Sequence, residues 1–438
     1  MSKVITNGRV WHNGDFRQVD VIVNELGKIA EIKEPGENKN QEYKKVIDAE
    51  NCLVLPGGID AHAHIEDGAE TFYKGSCLAA VGGITTVIDM PPFHVCASPS
   101  GLRERMDAAG QACVIDFCTH GGIVVEEADL LEMDGVAREG AAGFKVFMPS
   151  DPPVTPKVLW KAVQTAAKTG LRLVIHAEES ACLESKVNWA DPLGFAQSRP
   201  PVAESAATAL ALEMAYAAGA PIHICHVSSG RTADLIDHYR TLGADATAET
   251  TPHFLIFNKN DFKTFGAKLK TTPPLRDAID NEILWQALAS GVIDMVVSDH
   301  FLGTLPEINR EETFEEKGAG IAGLEISIPL LFHKGVQEGK ITMERFVQVI
   351  AERPAEVFGF DWRKGYIRQG LDADLIILDP DQEWTVGCNT AISRAASLPY
   401  EGWQLKGKVN KTFVRGNEIW NGDSIVARKG TGKFVTRK

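Results

Sequence analysis

Eight short apolar runs recur between about Pro56 and Gly365, at 59 to 64, 84 to 90, 114 to 120, 142 to 147, 171 to 176, 221 to 227, 244 to 249 and 293 to 299. Stretches of helical character fill the intervals. Runs such as LVIH at 173 to 176 lack polar alternation, as expected of a strand covered on both faces. A strand followed by a helix eight times over is the pattern of a parallel sheet closed on itself. The interval 203 to 219, AESAATALALEMAYAAG, shows such a helix with its glycine stop. The expected fold class is therefore α/β, a TIM-type (β/α)8 barrel over residues 56–365. Both flanks differ in texture. They read as short strands broken by turns, with hairpin signals at Asn7-Gly8 and Asn13-Gly14 and breaks at Asp372, Gly402 and Gly416. Residues 1–55 and 366–438 are expected to pair as one small β-sandwich domain built from both chain ends.

Charge and cysteine usage narrow the partners. With 45 Lys+Arg against 59 Asp+Glu the formal charge is −14, which argues against nucleic acid as a partner. No run of about 18 apolar residues and no basic segment followed by an apolar one occurs, so the reading is a cytoplasmic protein without a membrane span. Cys52, Cys77, Cys96, Cys113, Cys118, Cys182, Cys225 and Cys388 are scattered without a C-x-x-C pair. They read as buried reduced thiols, in keeping with a reducing compartment. No glycine-rich phosphate cradle follows a strand, and Ser228 and Ser229 lack a nucleophile elbow.

The first apolar run ends in Asp-Ala-His-Ala-His. His62 and His64, two apart on a strand, share a face and point into the barrel mouth, where they can hold one metal ion. Further ligand-type residues close other runs: Lys145 in GFKVFM, His176 in LVIHAE, His226 in HICHVSS and Asp299 in VVSDH. Packing stability does not call for such residues on one rim, and that rim is where barrels of this type hold their chemistry. A lysine inside an apolar strand is the oddest member; uncharged, it can take up carbon dioxide to form a carbamate that bridges two cations. Other histidines take blander readings. His223, three residues before His226, should face the helices as a packed histidine, and His120 is a candidate for lining the pocket. His12, His238, His253 and His333 read as structural or exposed. Longer loops at 179 to 202 and 301 to 320 fall on the same rim, and the charge run Arg310 to Lys317 reads as a solvated face, with a mobile lid as the sharper alternative.

These segments together, PGGIDAHAHI, GGITTVIDMPP, GFKVFM, HAE, CHVSS, TTPPLR, SDH and GLDADLIILDP, resemble the cyclic amidohydrolases of the amidohydrolase superfamily, namely dihydroorotase, allantoinase and hydantoinase or dihydropyrimidinase. The resemblance spans nearly the whole chain. It implies two divalent metal ions, most simply Zn2+ with Fe, Co or Mn as other occupants. His62, His64 and Asp299 would hold the more buried ion and His176 and His226 the other, bridged by N6-carboxylysine at Lys145. It further implies water-driven opening of a cyclic amide, with Asp299 as both ligand and proton carrier, and a homo-oligomer, dimer or tetramer. Ser150, Thr272 and the backbone at Gly320 are the implied substrate contacts. Within the family, Ile65-Glu66-Asp67 and Thr272 replace the arginine and asparagine of dihydroorotases, and Ser150 replaces the tyrosine of typical D-hydantoinases. GAGIAGLE at 318 to 325 and SLPYEGW near the C terminus resemble allantoinase, although EDGAETFYKGS departs from it. Allantoinase is the expected activity, with hydantoinase, dihydropyrimidinase or dihydroorotase chemistry as the alternative and a non-catalytic scaffold as the remote one.

Overall fold

The computed structural model describes residues 2–37, 42–189, 191, 193–302, 313–387 and 398–438. Cys388 and the Arg310 to Glu312 part of the charge run lie outside the described residues. Parallel pairing dominates the middle of the chain. Gly58–Gly68 pairs with Ile84–Asp89, which pairs with Asp116–Thr119. Gly121–Val124 pairs with Phe144–Phe147, and the ladder continues through Leu173–His176, Ile222–Ile224 and Ala246–Thr250 to Met295–Val296. His300–Leu302 then pairs with Gly58–Gly68. Helices including Pro156–Thr169, Pro201–Ala218 and Ala278–Ser290 form connections, making an α/β fold. Pro201 opens its helix with no N–H to leave unpaired, and Gly219 closes it at φ 63.

Two of the eight expected strands are interrupted. The run at 114 to 120 divides because His120 N–H still bonds to Asp89 O, whereas Gly121 N–H turns to Gly143 O on the other side. The run at 293 to 299 ends early as a strand because Ser298 N–H bonds to the Asp60 carboxylate at 3.1 Å instead of a ladder carbonyl. Both interruptions fall at carboxyl ends, where side chains outnumber ladder partners.

The chain ends meet in a six-stranded sheet, in which Leu53–Pro56 runs antiparallel to Leu375–Thr385 and parallel to Arg9–His12. A four-stranded sheet of Lys3–Thr6, Asp20–Val23, Ile29–Lys33 and Lys45–Asp48 shares its core, with Ile5 and Val21 packed in one cluster with Val10, Val54, Leu375 and Phe413. Asn13 and Gly14, at φ 53 and 82, form the two-residue turn joining Arg9–His12 to Asp15–Gln18. Asn7-Gly8 is not a hairpin, because Lys3–Thr6 and Arg9–His12 belong to different sheets. A Cβ on Gly8 would stand 2.5 Å from Val54, so glycine there permits the crossing between sheets. The last residues of the chain also reach the parallel strands. Phe434 bridges to Phe117, and Val435 joins an inner cluster with Ile59, Val174, Met295, Val297, Phe358 and Phe360. These apolar residues cover the end of the parallel strands that lies away from His62 and His64.

One buried ion cluster ties the end sheets to the parallel strands. Lys364 Nζ lies 2.5 Å from Asp116, 3.1 Å from Asp372 and 2.5 Å from Asp374, and Arg415 also pairs with Asp116. Burial opposes ionisation of Asp372, but Lys364, Lys28 and Arg363 outweigh it and hold its carboxyl below the usual range. Removing the lysine leaves three buried carboxylates short of a cation. Lys364→Met is therefore expected to cost about 3 to 5 kcal/mol near pH 7, with the loss shrinking as pH falls toward 4 and carboxylates take up protons. Urea midpoints at pH 7 and pH 4.5 check this; an equal, small loss at both values contradicts it.

Candidate active site

The six expected residues gather at the carboxyl ends of the parallel strands. His62, Lys145, His176, His226 and Asp299 are buried, and His64 is half-buried. A register shift between Asp60 and Ala63 changes which residues face inward along Gly58–Gly68. Ile59 and Ala61 belong to the inner cluster, whereas Ala63 and Ile65 pack in the large outer core, so His62 and His64 take over the inner face at the rim. Arg105 fixes that strand end: it pairs with Asp89 at 2.5 Å and donates to Ile65 O at 2.6 Å. His226 and Asp299 adopt φ of 32 and 46. Non-glycine residues there cost about 1 kcal/mol or more, and strain of this kind concentrates at functional sites. For His226 the turn matters, since Cys225 occupies the inner face by simple alternation. Gly122, at φ 111, leaves no room for a Cβ, which would stand 2.7 Å from Lys145 O.

Hydrogen bonding sets which nitrogen of each ring faces the centre. His62 Nδ1 donates to the buried Glu249 carboxylate, and His64 Nδ1 bonds to Asp67 at 3.2 Å. Because an ionised carboxylate only accepts, the Nδ1 atoms carry hydrogens and the Nε2 atoms present lone pairs. Those lone pairs face Asp299 Oδ1, at 3.3 Å from His62 Nε2 and 3.8 Å from His64 Nε2. Three acceptors turned on one point fit a cation, in the arrangement where outer carboxylates orient metal-binding imidazoles. His176 repeats the pattern: Nε2 bonds to Glu178 at 2.7 Å, Glu178 pairs with Arg199 at 2.5 Å, and Nδ1 is left for a ligand role. His226 Nδ1 has no hydrogen-bond partner among the described residues, although it is buried. Lys145 Nζ lies 3.1 Å from Cys225 Sγ. The donor set therefore suits two divalent cations.

Charge states agree with that reading. Burial lowers His62 to about 3 and His176 to about 4, so both rings stay neutral. Burial also raises Asp299 to about 7. Glu249 lies below the usual carboxylate range: burial alone would raise it, but His62 and His223 outweigh that effect.

A cavity of about 370 Å³ opens onto these groups. Thr272 lines it, as do Asp67, Phe93, Ile123, Phe147, Thr271 and Phe301. Ser150 and Gly320 do not line it: Ser150 Oγ donates to Pro152 O at 2.7 Å, and Gly320 N–H donates to Lys270 O at 2.8 Å. Their polar groups are already engaged within the chain. His120 lies beneath the cavity rather than in its wall, with Nε2 3.3 Å from Ala61 O and its ring against Phe358. His223 faces inward, not toward the helices, because it shares an inner face with Cys225; it bonds Thr247 Oγ1 at 2.8 Å and Glu249 at 3.0 Å. Glu249, Asp67 and Glu178 went unassigned from sequence. Glu249 ends the apolar run at 244 to 249 as Asp299 ends the run at 293 to 299, and that was the available signal.

Comparison with known proteins fixes the family. Residues 53–419 match the amidohydrolase family. The chain belongs to that family. It is 32% identical to the L-hydantoinase of Paenarthrobacter aurescens over 99% of this chain and 98% of that protein. An allantoinase of Rubrobacter xylanophilus is 33% identical over 90% and 89% of the two chains. Among solved structures, the L-hydantoinase (dihydropyrimidinase) from Arthrobacter aurescens superposes with a TM-score of 0.92 at 31% identity, covering 99% of each chain. This amidohydrolase is accordingly a hydrolase of cyclic amides. Hydantoinases recur among its relatives, so the hydantoinase alternative fits at least as well as the allantoinase expectation. No helix among the described residues is long and apolar enough to cross a membrane.

The neutral histidines give a pH test. Burial lowers His120 to about 3 from 6.5, so the folded protein holds it neutral while the unfolded chain protonates it. Its contribution to stability is therefore present above about pH 6.5 and lost as pH falls toward the folded value. Between pH 7.5 and pH 5, wild-type stability should fall relative to His120→Gln by about 2 kcal/mol. A pH-independent gap in urea denaturation contradicts a neutral, buried ring.

Proposed function

We propose that the protein opens cyclic amides of the hydantoin and dihydropyrimidine type, at a binuclear centre held by His62, His64, Lys145, His176, His226 and Asp299. Convergence of the His62, His64 and Asp299 lone pairs on one point carries this reading. His62, His64 and Asp299 would hold one cation, His176 and His226 the other, and Lys145 as N6-carboxylysine would bridge them. Nitrogen and oxygen ligands suit zinc, with iron, cobalt and manganese compatible. Two such cations would supply Lewis acidity to a water and to the scissile carbonyl. Asp299 stands where it can take a proton from the attacking water and return it to the ring nitrogen as the C–N bond breaks, so that water adds across that bond. Thr271 and Thr272 present the polar edge of the cavity; Phe93, Phe147, Phe301 and Ile123 supply its apolar wall.

The proposed architecture is a (β/α)8 barrel over 56–365, in which His300–Leu302 returns to pair with Gly58–Gly68, and a small β-sandwich from 1–55 and 366–438. Support comes from the two parallel sheets, of four and six strands, that follow one another along the chain, and from the shared core of the two end sheets. A cytoplasmic homo-oligomer is the accompanying reading, checked by sedimentation.

Hydrolysis of a panel of hydantoin, 5-substituted hydantoins, dihydrouracil, allantoin and dihydroorotate by metal-loaded protein tests the ring. Hydantoins or dihydrouracil should be the best substrates and dihydroorotate the poorest, because Asp67 beside His64 repels a second carboxylate. Preferential turnover of dihydroorotate contradicts the reading, and preference for allantoin selects the allantoinase alternative. Asp299→Asn keeps a ligating oxygen but cannot carry the proton. It is expected to retain much of its metal and lose at least about 10²-fold in kcat; turnover within a few-fold of wild type, with metal bound, contradicts the proton path.

A further inference from the structure

Lys270 is buried at 6% exposure, yet the chemistry above gives it no role. Its Nζ donates to Phe314 O at 2.7 Å and to Lys317 O at 2.5 Å. The same ammonium lies 4.7 Å from the centroid of the Trp189 ring and 5.5 Å from that of Phe195. One cation thus holds backbone from the segment after His300–Leu302 and ring faces from the segment after Leu173–His176. Carbonyl dipoles and aromatic faces replace the water that a buried ammonium gives up. The backbone adds to the tie. Lys270 O accepts from Gly320 N–H at 2.8 Å, and Lys317 Nζ donates to Gly320 O at 2.9 Å. A Cβ on Gly320 would stand 2.5 Å from the Phe301 ring, so this turn is packed directly against the cavity wall. Thr271 and Thr272, which follow Lys270, line the cavity together with Ala319, which precedes Gly320.

We propose that Lys270 is a positioning residue that sets the outer wall of the substrate cavity by pinning the 313 to 320 segment and the Trp189–Phe195 pair to the loop bearing Thr271 and Thr272. It acts through those neighbours and contacts neither reacting atoms nor the ligand set. Only its kinetic consequence rests on the cyclic-amide reading. Lysine suits the position because a single ammonium can donate to two carbonyls at once while presenting charge to two rings.

Lys270→Met, Lys270→Arg and Trp189→Leu, each metal-loaded, are compared with wild type by steady-state kinetics, metal content and trypsin cleavage after Lys317, followed by mass spectrometry. Lys270→Met is expected to raise KM about tenfold with kcat within about threefold, and to leave metal content unchanged. Cleavage after Lys317 should quicken about tenfold, because local opening exposes that bond. Lys270→Arg should partly restore both values, which a purely steric role would not produce. Wild-type KM and wild-type cleavage in Lys270→Met overturn the proposal. Should Lys270→Met fail to fold, Trp189→Leu decides: raised KM with faster cleavage supports the role of the cation, and unchanged values overturn it. If no cyclic amide is turned over at all, the hydrolase reading fails and cleavage at Lys317 alone judges Lys270, with equal rates in variant and wild type overturning it.

Discussion

Glu249 is the interaction on which the arrangement of the rim depends. Fully buried, it accepts from His62 Nδ1, from His223 Nε2 and, at 3.3 Å, from the backbone N–H of His226. One carboxylate thereby fixes the tautomer of the first histidine, the position of the last one and the packing of a third beneath them. A buried carboxylate is costly unless its oxygens are satisfied, and here each oxygen has a donor. The negative charge retained at Glu249 also explains why His62 can turn a lone pair, rather than an N–H, toward Asp299. An apolar residue in its place would leave His62 Nδ1 and His223 Nε2 without an acceptor and loosen the hold on both rings.

The carboxylate-imidazole pairing is repeated around the rim, which makes it a construction principle rather than a single contact. Asp67 serves His64, Glu178 serves His176, and Arg199 in turn holds Glu178. Glu204 extends the scaffold, accepting from the backbone of Ser228 and Ser229 just after His226, while Arg276 ties Ser228 to Arg199 O. Such supports give the rim a geometry that needs little rearrangement before catalysis. At the opposite end the parallel strands are closed by Phe358, Phe360 and Val435 and linked to the end sheets through Lys364, so rigidity below complements the cavity above.

Much of this was legible in the sequence, and the parts that were not share a cause. Period and composition locate the parallel strands because burial on both faces demands apolar runs, and the residues closing them stand out against that background. His62, Lys145, His176, His226 and Asp299 are visible for that reason. Glu249 closes a run in the same way, but a lone acidic residue next to Thr250 and Thr251 reads equally well as a turn. Alternation misled at His223, because the backbone at His226 enters the left-handed region and reverses the facing that spacing alone implies. Ser150 and Gly320 were placed at the cavity by resemblance, whereas their polar groups are spent on Pro152 and Lys270, a matter of loop packing that no periodicity encodes. Asn7-Gly8 shows the same limit: the dipeptide specifies a reversal but not which sheet the following strand joins.

As proposed, these side chains would hold two cations bridged by a modified lysine. Diffraction from crystals of zinc-loaded protein, recorded on both sides of the zinc absorption edge, tests it most directly. Two anomalous peaks per chain are expected, one among His62, His64 and Asp299 and one between His176 and His226, with density for a carboxyl group extending from Lys145 Nζ to both. A single peak remote from these residues, or an unmodified Lys145 beside two fully occupied ions, would contradict it.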